Sequence, residues 1–419
     1  MNNKILILGS NPETAALVEK AKQKNLITYV MGKEKKSMTK KIADFPIFGD
    51  ASNVKFVKET IKKNNIGALL VGTVDSLIET YEKVCQEIDL PCYANKKSIS
   101  AFSSKNRFNK ICKKFGFKQL PDYTQYLKDK LNLPDSFYPV MIKPIDAGAG
   151  LGAKICYSNN ELQLAIKNAK KNSKKKQFIC QDYFLGDDIQ LYYTIINKKA
   201  FLSCVIDRTT NKNQNNKSPV CIGANYNSKY LKLILRKFDK KFKKMINYLK
   251  ILNGVLSIQC FVKNNELYPY DPGFRLQGEG QHLVLSKINK FDHLDMLLDL
   301  SLGKPFFSKN FKRFNDPYLD KRFVSSVWVL LKKGVINKIY NLDKIKKLKC
   351  FLNMTQRFNL NDKVKSSFIG TEKQVFARIY LASKVKKELI NSISYIHKEL
   401  KILDINNKSL ILDKYERID

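Results

Sequence analysis

Histidine is almost missing from this chain, and the three that occur, His282, His293 and His397, stand at no metal-ligand spacing. A zinc centre is therefore not expected. Long apolar runs are missing too. The run Val327–Leu331 stops at Lys332, and a bilayer needs far more. The nine cysteines form no C-x-x-C pair, which argues against a disulfide framework and for reduced, mostly buried thiols in the cytoplasm. The apolar run Ile5–Leu8 leads straight into Gly-Ser-Asn-Pro-Glu, so it reads as a strand and turn and not as a signal peptide. Acidic residues are scarce: 38 Asp and Glu face 76 Lys and Arg, a net charge of +38. Such a surplus points to nucleic acid when it accompanies a binding motif. Here the lysine runs Lys33–Lys41, Lys170–Lys176, Lys240–Lys244 and Lys344–Lys349 lie far apart and no such motif is present. The charge reads as composition, with no specific nucleic acid and no membrane as partner.

What is present is enough chain, 419 residues with 44% hydrophobic content, for two or three domains with real cores. Lys4–Leu8, Ile27–Val30 and Ala68–Val71 read as buried strands. The helices between them begin at Asn11-Pro12 and Asn53, and a helical face of Leu77, Tyr81, Val84, Cys85 and Ile88 follows. Alternating strands and helices predict a parallel α/β sheet to about residue 100. Phe108, Ile111, Cys112 and Phe115 then line a helix that starts at Lys105. Ser158 and Glu161 form a capping-box pattern for a helix to about Asn172. Ile189, Leu191, Tyr193 and Ile195 alternate along a strand, and Lys229–Leu252 reads as one helix. The polar stretch Asn211–Ser218 reads as a loop or lid. Strands near Gly334–Ile339 and Val375–Ala382 precede a helix bearing Leu389, Ile393, Ile396 and Leu400, a smaller α+β unit.

The stretch Val140–Gly152, VMIKPIDAGAGLG, carries chemistry. A short strand delivers Lys143, and Gly148, Gly150 and Gly152 follow. Glycines let backbone N–H groups approach an anion, and lysine adds a point charge. The stretch suits a triphosphate, yet it is no P-loop, because no Gly-Lys-Ser/Thr closes it. The Gly9 turn likewise lacks the full glycine set of a dinucleotide fold.

In order, Lys105 opening a helix, Lys143 before a glycine loop, QDYFLGDD at Gln181–Asp188 and a hairpin ending in DPGFR at Asp271–Arg275 resemble the ATP-grasp superfamily of carboxylate ligases. Its carboxylase-like branch includes biotin carboxylase and the large chain of carbamoyl-phosphate synthetase. The resemblance covers roughly residues 1–400. It implies a multidomain α/β and α+β fold: a parallel-sheet domain at 1–100, an ATP-grasp domain at 101–303 with a mobile part at about 140–206, and an α+β cap at 304–419. It implies ATP with Mg²⁺ or Mn²⁺, a small-molecule carboxylate and an amine as substrates, ADP as product, and room for a homodimer.

Carried onto this chain, the resemblance makes Lys105 and Lys143 phosphate ligands, with Gly148, Gly150 and Gly152 closing over the phosphates. It gives adenine to the backbone of Gln181, Asp182, Tyr183 and Phe184, and ribose to Asp188. Asp271 becomes a metal ligand and Arg275 neutralises the transferring phosphate. Two positions depart from the pattern: Gln259 stands where the first metal carboxylate is usual, and Gly273 where an Asn is usual. Arg275, Gln277 and Glu279 also match an Arg-x-Gln-x-Glu arrangement found in biotin carboxylase, so bicarbonate is an alternative substrate. A nucleotide-binding protein without catalysis is another.

The hairpin makes a geometric demand. Side chains alternate along a strand, so Gln259 shares a face with Ser257 and Phe261. Gln259 and Asp271 share that face only if the connecting loop has an odd residue count or a bulge intervenes, since a two-residue Asn264-Asn265 turn alone puts Asp271 opposite the wrong face.

Overall fold

A computed structural model of the chain describes residues 3–35, 37–130, 132–147, 150–211, 219–305, 308–412 and 414–415. Strands β1 (Lys4–Leu8), β2 (Ile27–Gly32), β3 (Phe45–Phe48) and β4 (Ala68–Val71) form a parallel sheet in the order β3-β2-β1-β4. Strand β1 reads as an unbroken apolar run because helices cover both faces of a parallel sheet. Ile5 to Leu8 are fully buried, against Leu17, Val18 and Ala21 of the helix Ala15–Gln23 among others.

A second, small antiparallel sheet holds β5 (Val140–Pro144), β6 (Lys154–Cys156) and β7 (Phe178–Asp182) in the order β6-β5-β7. Helix Asn159–Lys171 packs Leu162, Ala165 and Ile166 on it, giving this unit its own core. The helix starts at Asn159 without the expected Ser158 side-chain cap. Instead the Tyr157 N–H donates to Glu161 Oε2 at 2.8 Å.

The third sheet is the largest. It contains β8 (Asp187–Ile196), β9 (Lys199–Thr210), β10 (Cys221–Asn225), β11 (Gly254–Lys263), β12 (Glu266–Gly273) and β13 (Phe323–Leu330). Further along the chain come β14 (Gly334–Val335), β15 (Lys338–Tyr340), β16 (Phe351–Gln356), β17 (Lys363–Val364), β18 (Val375–Ser383) and β19 (Lys401–Leu403). The order β12-β11-β8-β9-β10-β13-β18-β16 is antiparallel throughout. It therefore runs unbroken past residue 303: the last segment extends the central sheet, while packing a core of its own with helix Lys386–Glu399. The small unit ends at Asp182, short of residue 206, because β8 leaves it to pair with β9 and β11.

Strand β8 refines the reading of alternation. Ile189, Leu191, Tyr193 and Ile195 are buried as expected, but so are Gln190, Tyr192 and Thr194 on the other face. Helices Gln281–Ile288 and His293–Ser301 contribute Gln281 and His293 to that side, where polar groups bond to one another. In a strand covered on both faces, alternation separates apolar from polar neighbours, not core from solvent. The helix expected at 229–252 is interrupted: Leu231–Leu233 passes through a π-type turn, Ile234–Phe238, before Asp239–Tyr248. The polar stretch 212–218 lies outside the described residues.

Candidate active site

A cleft of about 770 Å³ opens between the small sheet and the β11–β12 end of the large sheet. That is the size of a small-molecule site. Asp75 reaches it from the first sheet's side, and Gly370 and Glu372 from the last segment.

Strands β11 and β12 are joined by the tight Asn264-Asn265 turn, both residues with positive φ (52° and 57°), the geometry a two-residue hairpin favours. Pairing is regular from Lys263↔Glu266 to Cys260↔Pro269, then shifts, so that Gln259 faces Asp271. Tyr270 is the extra residue. The bulge meets the demand made by residue parity: without it Asp271 would oppose Ile258, whose side chain is in the core. Gln259, Tyr270 and Asp271 all line the cleft, and Tyr270 stacks on Phe261 with centroids 4.6 Å apart.

Lys105 is the first residue of helix Lys105–Lys114. Its Nζ donates to the Ala147 carbonyl (2.9 Å) and pairs with Asp271 Oδ1 (3.2 Å). Lys143 stands on β5, its Nζ 5.8 Å from the centroid of the Tyr270 ring. Burial, then the neighbouring charge of Lys105, lower its pKa to about 8 against the opposing pull of Asp271 and Asp122. The two lysines thus converge on one side of the cleft. Gly148 lies outside the described residues. Gly150 has φ of 76° and lines the cleft. Gly152 has φ of 72°, and a Cβ there would stand 2.8 Å from Asn172 Cβ, so packing as well as conformation requires it.

The segment Gln181–Phe184, the end of β7 and the loop after it, borders the cleft, but two of its N–H groups are engaged. Asp182 N–H donates to the Pro121 carbonyl and Tyr183 N–H to the Pro139 carbonyl, each at 3.0 Å. Any backbone donor offered to a base must come from beyond them, at Phe184 or Leu185. The Phe184 ring packs on Tyr268 (4.5 Å) and ties the small sheet to the hairpin.

Two expected positions carry protein partners. Asp188 lines the cleft, where it pairs with Arg208 Nη1 (2.8 Å) and accepts from the Tyr270 hydroxyl (2.9 Å). Burial raises its pKa while Arg208 opposes the rise. Arg275 does not line the cleft. It pairs with Asp75, and its Nη1 donates to the Leu276 carbonyl at 2.6 Å. It anchors the loop to the first sheet's domain, where Asp75 answers its buried charge, with Glu372 adding to the pull.

Arg208 went unrecognised in the sequence because β9 and β10 did. Its guanidinium bridges Asp188 to Glu279 Oε1 (3.2 Å). The same oxygen accepts from Gln259 Nε2 (3.4 Å), while Glu279 Oε2 accepts from Gln281 (3.0 Å). Gln281 also donates to Gln190, and Gln190 to Ser257. A second buried cluster joins Glu13 to Arg357 and Arg378, and Arg378 to Glu372 at 2.9 Å. Burial alone would raise Glu13, but the two arginines hold its pKa down to about 2.

The donor set suits one hard cation better than two. Asp271 presents a single carboxylate, and among the described residues no three acidic, histidine or cysteine side chains converge. A magnesium ion needs only one or two carboxylates when phosphate and water complete its shell.

Comparison with known proteins agrees. Residues 104–191 match the family model described as "Carbamoyl-phosphate synthase L chain, ATP binding domain". A curated relative, the formate-dependent phosphoribosylglycinamide formyltransferase of Prochlorococcus marinus subsp. pastoris, is 22% identical over 316 residues, covering 71% of this chain and 77% of its own. Among solved structures, the L-amino acid ligase of Bacillus licheniformis superposes with a TM-score of 0.78 at 15% identity, over 96% of this chain and 99% of that one. The biotin carboxylase domain of Hydrogenobacter thermophilus 2-oxoglutarate carboxylase, solved with MgADP, ADP and bicarbonate, gives 0.74 at 14% identity, over 96% and 91%. The fold is that of ATP-grasp enzymes, and the matched segment and curated relatives are of the same kind. Within that class, the segment is similar to the ATP-binding domain of the carbamoyl-phosphate synthase large chain.

Proposed function

We propose that the chain is an ADP-forming ligase that activates a small-molecule carboxylate as an acyl phosphate for attack by an amine. The observation that carries the reading is the β12 bulge, which brings Asp271 to the Gln259 face beside Lys105 and Lys143. A carboxylate is a poor electrophile. Bound ATP supplies the phosphoryl group that turns it into an activated acyl donor, and ADP leaves. The protein's share is positioning and charge neutralisation. Lys105 and Lys143 would hold phosphate oxygens. Asp271 would exchange Lys105 for Mg²⁺ or Mn²⁺ when nucleotide enters. Adenine would lie along Phe184 and Leu185, and the small sheet would serve as the mobile cover. The nine free cysteines, eight of them buried, support a reducing, cytoplasmic setting.

The acid and the amine are not legible in the cleft. Relatives with printed activities use formate or bicarbonate, or join amino acids. For bicarbonate, Arg275, Gln277 and Glu279 would need to converge. Here Arg275 holds Asp75 but also donates to Gln277 Oε1 at 3.4 Å, and Gln277 and Glu279 both line the cleft, so bicarbonate stands as the second reading. ADP release across a panel of carboxylates, amines and bicarbonate tests it. Release that needs an acid and an amine together supports the ligase. Release with bicarbonate alone supports the alternative, and nucleotide binding without turnover supports a binding protein.

A further inference from the structure

We propose that this site works with a single divalent cation, held on Asp271, and that the Arg208 guanidinium takes the place of a second. The inference rests on the nucleotide-site reading above and concerns residues that depart from the family pattern. Gln259, which faces Asp271 across the hairpin, is a neutral amide. Its amide donates to Glu279, whose Oε1 receives both Gln259 Nε2 (3.4 Å) and Arg208 Nη2 (3.2 Å). Glu279 is thus committed to an ion pair with an arginine that it shares with Asp188. Its other oxygen is engaged by Gln281.

Arg208 is fixed in place and permanently charged. It is 9% exposed, and its second nitrogen pairs with Asp188 at 2.8 Å. Burial alone would lower its pKa, but Asp188 and Glu279 raise it well above the ordinary arginine value. A second divalent ion beside Gln259 would have to displace Arg208 from Glu279, because Gln259 itself offers only a neutral amide. Meanwhile Arg208 Nε, although buried, has no partner among the described residues, and the side chain lines the cleft. A fixed guanidinium in the wall of a substrate cleft suits an oxygen that arrives with the ligand. The guanidinium supplies, from the protein, positive charge of the kind that a second ion brings to two-metal sites.

The test counts ions on the full chain. Mn²⁺ is titrated into the protein saturated with a non-hydrolysable ATP analogue, and free Mn²⁺ is read by electron paramagnetic resonance. The expected result is one ion per chain with no Mn–Mn coupling in the spectrum. Two ions with the analogue retained would overturn the proposal and leave the nucleotide-site reading intact. A chain that retains no analogue at any Mn²⁺ concentration would overturn both. The double variant Arg208→Gln/Gln259→Glu removes the cation and restores a carboxylate, so its count is expected to rise to two. A folded double variant that still binds one would show that these residues do not set the number. If it does not fold, the wild-type count decides alone.

Discussion

Lys143 should make nucleotide affinity pH-dependent in a range where ordinary lysines are silent. Burial, then the charge of Lys105, bring its pKa down to about 8. A base with a lowered pKa loses its charge as pH rises through that value, so the free protein is short of one cation above pH 8. A bound triphosphate favours the charged form and would return the group towards an ordinary lysine, about 10.4. Between the two values binding takes up a proton, and affinity falls about tenfold per pH unit. From pH 8, where half the charge is already lost, to pH 10 the loss is about 36-fold, or about 2.1 kcal/mol at about 1.36 kcal/mol per unit. Well below pH 8 the profile is flat. Isothermal titration of a non-hydrolysable ATP analogue, repeated in buffers of different ionisation enthalpy, measures both the affinity and the proton uptake. Lys143→Arg keeps its charge throughout and should flatten the profile. A wild-type affinity constant from pH 7 to pH 10, with no proton taken up, would refute the reasoning.

Asp271→Asn should reduce ADP formation by at least about a hundredfold while the ATP analogue still binds, since base contacts lie elsewhere; wild-type turnover in steady-state assays would contradict the metal role. Deleting Tyr270 removes the bulge yet leaves Asp271 opposite Gln259, because the residue after Pro269 then pairs with Gln259, so a folded deletion variant should still form ADP, and a loss as complete as that of Asp271→Asn would sink the parity argument. His282 and His293 are held neutral by burial, with pKa values lowered to about 4 and about 3. The unfolded chain binds their protons first, so stability is whole above about pH 6.5 and falls below it. At pH 5 the two together should cost about 4 kcal/mol, read as the difference between urea melts at pH 7 and pH 5. An unchanged melt would count against it. If the charge of +38 is compositional, duplex DNA should bind only weakly and without sequence preference, and release steeply as salt rises; a selective complex at physiological salt in a gel-shift assay would reverse that view.

Much of this was legible in residues, for reasons that differ from element to element. Strand β1 and the helix from Lys105 were readable because their apolar spacing is local. The pairing of Gln259 with Asp271 was constrained by parity alone, although whether an odd loop or a bulge would satisfy it was not. Arg208 was hidden because Lys199–Thr210 is a mostly apolar run without the alternation of a half-exposed strand. The available signal was Asn197-Lys198, two residues now seen at positive φ (47° and 66°) between two apolar runs, a tight turn that implies a returning strand. Asp188 and Arg275 were correctly located in the chain, but their partners Arg208 and Asp75 lie 20 and 200 residues away. Charge pairing at that range depends on the assembled fold, and no spacing rule reaches it.

The central claim is that this cleft makes an acyl phosphate from ATP and a carboxylate. Hydroxylamine intercepts such an intermediate by attacking its carbonyl carbon, releasing phosphate and leaving a hydroxamate. Purified chain, ATP and Mg²⁺ should be incubated with hydroxylamine and a panel of small carboxylates, with ADP and hydroxamate measured together. The account predicts hydroxamate and ADP in equal amounts with at least one acid, and neither with the Asp271→Asn variant. Release of AMP in place of ADP, or tight nucleotide binding with no hydroxamate from any acid, would contradict it.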